Sequence, residues 1–96
     1  MIQKTIYKTK DYCKVKFNLD VQDIETASIL GLNGDWNNPV TMKKKKDGSF
    51  TAELQLPKSS QHEFRYLLNE AEWINEAEAD GEVENSFGSS NSVLNL

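Results

Sequence analysis

Apolar and polar residues alternate along several short segments of the chain, and this alternation indicates β-strands. The clearest run covers residues 12–19. Its apolar positions are Cys13, Val15, Phe17 and Leu19. A period of two sustained over a run of this length is typical of a strand that buries one face. The pattern therefore predicts a half-buried strand, with Cys13 as a buried free thiol.

Further short segments rich in apolar and β-branched residues predict the remaining strands. They cover residues 26–32, 40–42, 49–56, 62–69 and 92–96, with a short strand around 72–74. Turn-forming residues separate them, above all the segment NGDWNNP at 33–39. The rest of 70–91 is polar, acidic and predicted to be irregular. Its apolar residues do not form the stripe of 3.6-residue period that a helix requires.

The hairpin that precedes residue 56 can be assigned a register from its faces. A three-residue loop over 46–48 places Met42 opposite Ala52 and Val40 opposite Leu54, so that apolar residues share one face. A two-residue loop would mix apolar and polar residues on both faces. We therefore predict a type I turn followed by a glycine in the left-handed conformation and a bulge.

Short strands separated by turns, without a convincing helix, predict an all-β fold. The pattern is typical of an immunoglobulin-like antiparallel β-sandwich of about seven to eight strands. A chain of 96 residues suffices for one such domain with one core. It leaves little room for a deep catalytic pocket.

Charge and composition narrow the classes of function. The net charge of -4 argues against nucleic acid as a partner, because that binding depends on neutralising phosphates. No apolar run approaches the ~20 residues of a membrane span. The N-terminal segment has no apolar core of a secretory signal, so a cytoplasmic location is the default expectation. The single cysteine excludes an intramolecular disulfide and a cysteine-based zinc site, and no metal or cofactor is expected.

Three segments, taken in order, carry a resemblance to a known family. They are GLNGDW at 31–36, HEFRYLLNEAEW at 62–73 and FGSSNSVLNL at 87–96. They resemble the early-set glycogen-binding module of the AMP-activated protein kinase β subunit and of glycogen branching and isoamylase-type enzymes. The closest in form are small bacterial proteins that consist of this domain alone. The resemblance implies an early-set sandwich over 12–96, preceded by an N-terminal extension over 1–11.

The resemblance also implies a site for an α-glucan such as glycogen or a maltooligosaccharide. The positions that match the family's sugar site are Trp36, Arg65, Trp73, Phe87, Ser89 and Asn91. Arg65 stands where the family has a lysine, and Phe87 where it has an aliphatic residue. Ser89 takes the hydroxyl position of the closing motif.

Those residue types suit a sugar, although each also has a structural interpretation. A tryptophan offers a flat apolar surface to the C–H face of a sugar ring, and an arginine fork donates to two hydroxyls. The alternatives are that the tryptophans cap the core, that Arg65 pairs with a glutamate and that Asn91 satisfies its own backbone. For Phe87 a place in the core is favoured. A few such contacts, less the cost of association, predict micromolar-to-millimolar affinity.

Other functions are weighed against this one. The many acidic residues of 70–84 are typical of a solvated surface, with a calcium ion as a remaining alternative, and catalysis is not expected. The lone histidine, His62, opens a strand without an evident catalytic partner, so a structural role is favoured. The stronger rival is a protein-interaction module. Lys43 to Lys46 are interpreted as the exposed face and tip of a hairpin, where lysine discourages pairing between sheet edges.

Overall fold

The computed structural model describes residues 1–96 and forms two antiparallel sheets. The strands are β1 (Ile2–Ile6), β2 (Tyr12–Leu19), β3 (Ala27–Leu30), β4 (Val40–Thr41), β5 (Lys43–Lys44), β6 (Phe50–Pro57), β7 (Gln61–Leu68), β8 (Glu72–Ile74), β9 (Gly81–Glu84) and β10 (Ser90–Asn95). A 3-10 turn, Leu32–Gly34, follows β3. One sheet has the order β1-β2-β6-β5; the other has the order β4-β3-β7-β10-β9, with β8 also paired to β7. The predicted all-β, immunoglobulin-like sandwich is confirmed.

Strand β2 shows how the alternating pattern builds the core. Cys13, Val15 and Phe17 on its inner face are almost completely buried, as the pattern predicts. The Phe17 ring meets Phe64 of β7 edge to face, with centroids 5.5 Å apart. Phe64 meets Tyr66 in the same way at 5.7 Å. Burial of each ring contributes about 2–3 kcal/mol, so this aromatic row is a main contact between the two sheets.

The N-terminal residues are part of the sandwich, which corrects the predicted extension over 1–11. Strand β1 pairs with β2 in register, from Ile2 opposite Phe17 to Ile6 opposite Cys13. It forms one edge of the four-stranded sheet. Apart from the half-buried Ile2, its residues are exposed. An edge strand with so little burial carries no alternation by which it could be recognised.

The hairpin between β5 and β6 confirms the predicted loop. The Lys45 N–H donates to the Ser49 carbonyl at 2.7 Å, and the Gly48 N–H donates to the Lys45 carbonyl at 3.0 Å. Gly48 has a φ of 92°, in the left-handed region that favours glycine. Lys43 lies opposite Thr51, which preserves the predicted register. The exposed lysines of β5 thus form a short edge strand, as interpreted from the sequence.

The chain changes sheets just before this hairpin. Val40 lies opposite Ile29 of β3, so the predicted pairing of Val40 with Leu54 is wrong. The Met42 N–H donates to the Ala27 carbonyl at 2.9 Å, and the next residues pair with β6 instead. The apolar pattern determined which face of Val40 points inward, but both sheets offer such a face. The pattern therefore could not select the partner strand.

The acidic region contains more regular structure than predicted. Strand β8 occurs where a short strand was expected, and the segment forms no helix. Strand β9 was missed because all its residues are exposed, so it lacks an apolar face. The total is ten strands rather than seven or eight. No helix of the molecule has the length and apolar character needed to cross a membrane.

One acid of this region, Glu76, is buried rather than solvated. Its Oε1 accepts a hydrogen bond from the Tyr66 hydroxyl at 2.8 Å, and its Oε2 accepts one from the Glu78 N–H at 2.9 Å. The Glu76 N–H donates to Ser92 Oγ at 2.8 Å. Burial, and then the charge of Glu76, raise the pKa of Tyr66 well above its usual value. These bonds tie the segment after β8 to strands β7 and β10.

Candidate functional site

An open cleft lies on the outer face of the six-stranded sheet, and we call it the indole cleft. Its lining residues are Trp36, Arg65, Trp73, Asn85, Ser86, Phe87 and Asn91. Its volume is about 570 Å³, within the usual range for small-molecule sites. The structure therefore brings together every sequence-predicted site residue except Ser89.

Strand pairing explains why Arg65 lies in the middle of this surface. Residues 61–64 of β7 pair with β10, whereas 66–68 pair with β8 on the same side. Arg65 occupies the junction between these two partners, and Trp73 projects beside it from its place opposite Leu67. The guanidinium carbon lies 5.5 Å from the centroid of the Trp73 ring. This geometry is a cation–π contact, which contributes about 0.5–1 kcal/mol at an exposed site.

Arg65 makes no ion pair, so the alternative of a partner glutamate is not realised. Its Nε is buried without a hydrogen-bond partner. The guanidinium is therefore held by contact with the Trp73 ring rather than by a carboxylate. The remaining N–H donors of the fork are available to a ligand in the cleft.

Both tryptophans present open surface in the indole cleft. Trp36 is 38% exposed and Trp73 is 42% exposed. Neither belongs to the buried core cluster. The alternative in which these side chains cap the sandwich core is therefore not observed. An indole that stays partly open to solvent is suited to stacking against a flat apolar surface.

Trp36 owes its position to Gly31, which precedes the 3-10 turn. Gly31 has a φ of 102°, and its N–H donates to the Asp35 carbonyl at 3.0 Å. A Cβ on Gly31 would lie 2.6 Å from Cζ2 of Trp36 and 2.4 Å from the carbonyl oxygen of Glu63. The indole edge thus lies directly over the glycine. Any larger residue would displace it.

The carboxylate of Asp35 organises the residues after Trp36. Its Oδ1 accepts hydrogen bonds from the N–H groups of Asn37 and Asn38 at 3.0 and 3.2 Å, and its Oδ2 accepts one from the Asn38 side chain at 3.0 Å. These bonds, that from the Asn38 side chain first, lower the pKa of Asp35 below its usual value. Hydrogen bonds therefore hold the backbone both before Trp36, at Gly31 and Asp35, and after it, at Asn37 and Asn38.

His62 binds the backbone of the 3-10 turn through Asn33, which is the structural role favoured from the sequence. Its Nδ1 accepts a hydrogen bond from the Asn33 N–H at 3.0 Å. Its Nε2 lies 2.7 Å from Ser60 Oγ, which itself donates to the Pro57 carbonyl at 2.6 Å. The proton therefore resides on Nε2, and the ring is neutral. Burial lowers the pKa of His62, which favours that neutral form.

Phe87 is not a core residue, contrary to prediction. It lies in the loop between β9 and β10 and is 90% exposed. Its neighbours Ser86 and Gly88 also belong to the loop, and the exposure of the ring shows that neither sheet covers it. Phe87 instead adds a third aromatic side chain to the lining of the cleft. An unpartnered ring beside two open indoles is typical of an interaction surface rather than of a core.

Asn91 and Ser89 differ in their relation to the cleft. Asn91 is largely buried, and its side chain bonds to other side chains rather than to its own backbone. Its Oδ1 accepts from Asn85 Nδ2 at 3.1 Å, and its Nδ2 donates to Glu63 Oε1 at 3.1 Å. Ser89 does not line the cleft. Its backbone is used instead to close the loop, because the Asn85 N–H donates to its carbonyl at 2.9 Å.

Sequence reasoning missed two lining residues, Asn85 and Ser86. Asparagine followed by serine and then Phe-Gly indicates a turn, because an Asn side chain readily bonds to the backbone two residues ahead. That signal could have marked Asn85 as a loop-forming residue. It contained no indication that the loop would border the indole cleft.

No group of three or more His, Cys, Asp or Glu side chains is arranged to hold a metal ion.

Comparisons with known proteins bear on the fold rather than on the site. No protein-family model matches the sequence, and no curated protein matches it. The sandwich is similar to part of a larger enzyme. That enzyme is the enterobactin esterase of Shigella flexneri, solved in the presence of 2,3-dihydroxy-N-benzoyl-serine, with a TM-score of 0.77 and 11% identity. The match covers 99% of this chain but only 32% of the esterase, and at this identity it supports the fold alone.

Proposed function

We propose that this chain is a non-catalytic early-set module that binds α-glucans weakly, with the indole cleft as its binding surface. The observation that carries the proposal is the shared opening of Trp36 and Trp73 onto one cleft, with Arg65 stacked on the second indole. The order of the three family-like segments supports the same ligand class. A protein-interaction module remains the alternative if sugar does not bind.

The chemistry of the cleft suits a neutral sugar. The apolar C–H face of a pyranose can cover the indoles, while its hydroxyls can bond to Arg65 and to the amide and hydroxyl groups of the lining. Each such contact on a solvated surface contributes about 1 kcal/mol. Four or five contacts, reduced by the cost of association, correspond to a dissociation constant between micromolar and millimolar.

The lining also supports binding rather than catalysis. Glycoside hydrolysis requires a pair of carboxylic acids on either side of the scissile bond. No residue that lines the cleft carries a carboxylate, an imidazole or a thiol. The nearest carboxylate in the hydrogen-bond network, that of Glu63, accepts from Asn91.

The test is a titration of the intact chain with maltoheptaose and with β-cyclodextrin, followed by tryptophan fluorescence and calorimetry. We expect saturable changes at micromolar-to-millimolar ligand. Cellohexaose, which has the same sugar in β linkage, serves as the control and is expected to bind more weakly. An absence of any response at millimolar α-glucan would reject the proposal and favour protein docking.

A further inference from the structure

The loop that carries Phe87 is closed by one residue, Asn85, through both its backbone and its side chain. The Asn85 N–H donates to the Ser89 carbonyl at 2.9 Å, while its Oδ1 accepts from the N–H groups of Phe87 at 2.9 Å and Ser89 at 3.2 Å. Gly88 completes the turn with a φ of 78°. The acceptor end of one carboxamide thus determines the path of the backbone that carries the exposed ring.

The donor end of the same carboxamide reaches the sheet. Asn85 Nδ2 donates to Asn91 Oδ1 at 3.1 Å, and Asn91 Nδ2 donates in turn to Glu63 Oε1 at 3.1 Å. A carboxamide has one acceptor end and one donor end, so this chain of bonds leaves Asn91 only one orientation. With its amide reversed, the Asn91 oxygen would face the Glu63 carboxylate, and two acceptors would be opposed.

We propose that Asn85 is the positioning residue of the indole cleft. It holds the Phe87 loop through Oδ1 and orients the Asn91 amide through Nδ2, so that the loop and the sheet surface are arranged together. Asn85 acts through these two residues rather than as the main ligand contact. The inference deepens the proposed function, and its effect on sugar affinity rests on that function.

Two substitutions separate the two ends of the carboxamide. Asn85→Asp keeps an oxygen for the Phe87 and Ser89 N–H groups but removes the donor to Asn91, whose NH₂ end faces Glu63 and whose oxygen faces position 85. Asn85→Ala removes both. A matched control is Asn69→Ala, because Asn69 Oδ1 also accepts two backbone N–H bonds, from Glu25 and Thr26, but lies outside the cleft.

The first readout is NMR of the free protein, which does not depend on any ligand. Asn85→Ala should abolish the protection of the Phe87 and Ser89 amides from hydrogen exchange and shift the Asn91 side-chain NH₂ signals. Asn85→Asp should retain that protection and still shift the Asn91 signals. Unchanged protection in the alanine variant, or unchanged Asn91 signals in both, would overturn the inference even if the wild type binds glucan.

The second readout is maltoheptaose affinity. We expect a loss of about tenfold for Asn85→Ala, a loss of roughly threefold to tenfold for Asn85→Asp, and no loss for Asn69→Ala. Combining Asn85→Ala with Phe87→Ala should cost less than the sum of the two, because Asn85 acts partly through Phe87. Additive losses, or equal losses in the Asn69 control, would contradict a positioning role. A wild type that binds no glucan would instead remove the proposed function and leave the NMR test standing.

Discussion

Replacement of Trp73 by alanine should remove most of the proposed glucan affinity and leave the sandwich folded. Trp73 keeps 42% of its surface exposed, which is about 100 Å² if a tryptophan offers ~250 Å². Complete cover of that area at about 25 cal/mol per Å² would contribute about 2.5 kcal/mol, or roughly 70-fold in affinity. A sugar ring stacks on one face of an indole, so we expect about half of this energy and a loss of roughly tenfold.

The cost to folding should be smaller. The Trp73→Ala variant loses the contact with Arg65, which contributes about 0.5–1 kcal/mol, and the burial of part of one ring. The free energy of unfolding of a small domain is about 5–15 kcal/mol, so the variant should still fold. Thermal unfolding measures the change in stability of the variant, and calorimetric titration with maltoheptaose measures its change in sugar affinity.

Tyr7→Ala provides the control for this experiment. Tyr7 is a half-buried aromatic residue that packs against Tyr12 with centroids 5.7 Å apart, and it does not line the cleft. The Tyr7→Ala variant should lose a comparable amount of stability to Trp73→Ala, without any change in sugar affinity. The reasoning is refuted if Trp73→Ala binds maltoheptaose as the wild type does. A variant that fails to fold would show that Trp73 belongs to the core.

Three further predictions concern stability and the indole. Since burial holds the pKa of His62 below its ordinary value of 6.5, the unfolded chain takes up the proton first. Thermal melts should therefore show stability falling as pH drops below about 6.5 and levelling off below the folded-state pKa. Gly31→Ala should lower the free energy of unfolding by about 1–3 kcal/mol and shift the Trp36 emission, because the added Cβ meets the indole; an unchanged spectrum and melting temperature would contradict the described contact. Tyr66→Phe should cost about 1.5–3 kcal/mol in urea unfolding with glucan affinity retained, because Glu76 loses a buried donor; a neutral effect would argue against that bond.

The parts of the fold that were predictable are those where one face of a strand is buried. Strand β2 alternates strictly because its inner residues meet the core and its outer residues do not. Strands β1 and β9 are mostly exposed on both faces, so no hydrophobic pattern marks them. Their pairing depends on backbone groups of neighbouring strands, which every residue carries.

Single side chains in loops and networks were harder to assign. The burial of Glu76 depends on the Tyr66 hydroxyl and on Ser92, which come from two other strands. Phe87 is apolar, but its residue type does not determine whether a loop turns it toward the core or away from it. The sequence-predicted residues other than Ser89 line one cleft, whereas Asn85 emerges only from the hydrogen bonds that cross the loop.

The most direct test of the proposed sugar site is a map of amide and indole N–H chemical shifts during titration with maltoheptaose. The largest shifts should occur at the indole N–H groups of Trp36 and Trp73, at Arg65 and across residues 85–91, with the four-stranded sheet unaffected. Shifts that cluster elsewhere, or a spectrum that does not change at millimolar maltoheptaose, would contradict the indole cleft as a glucan site.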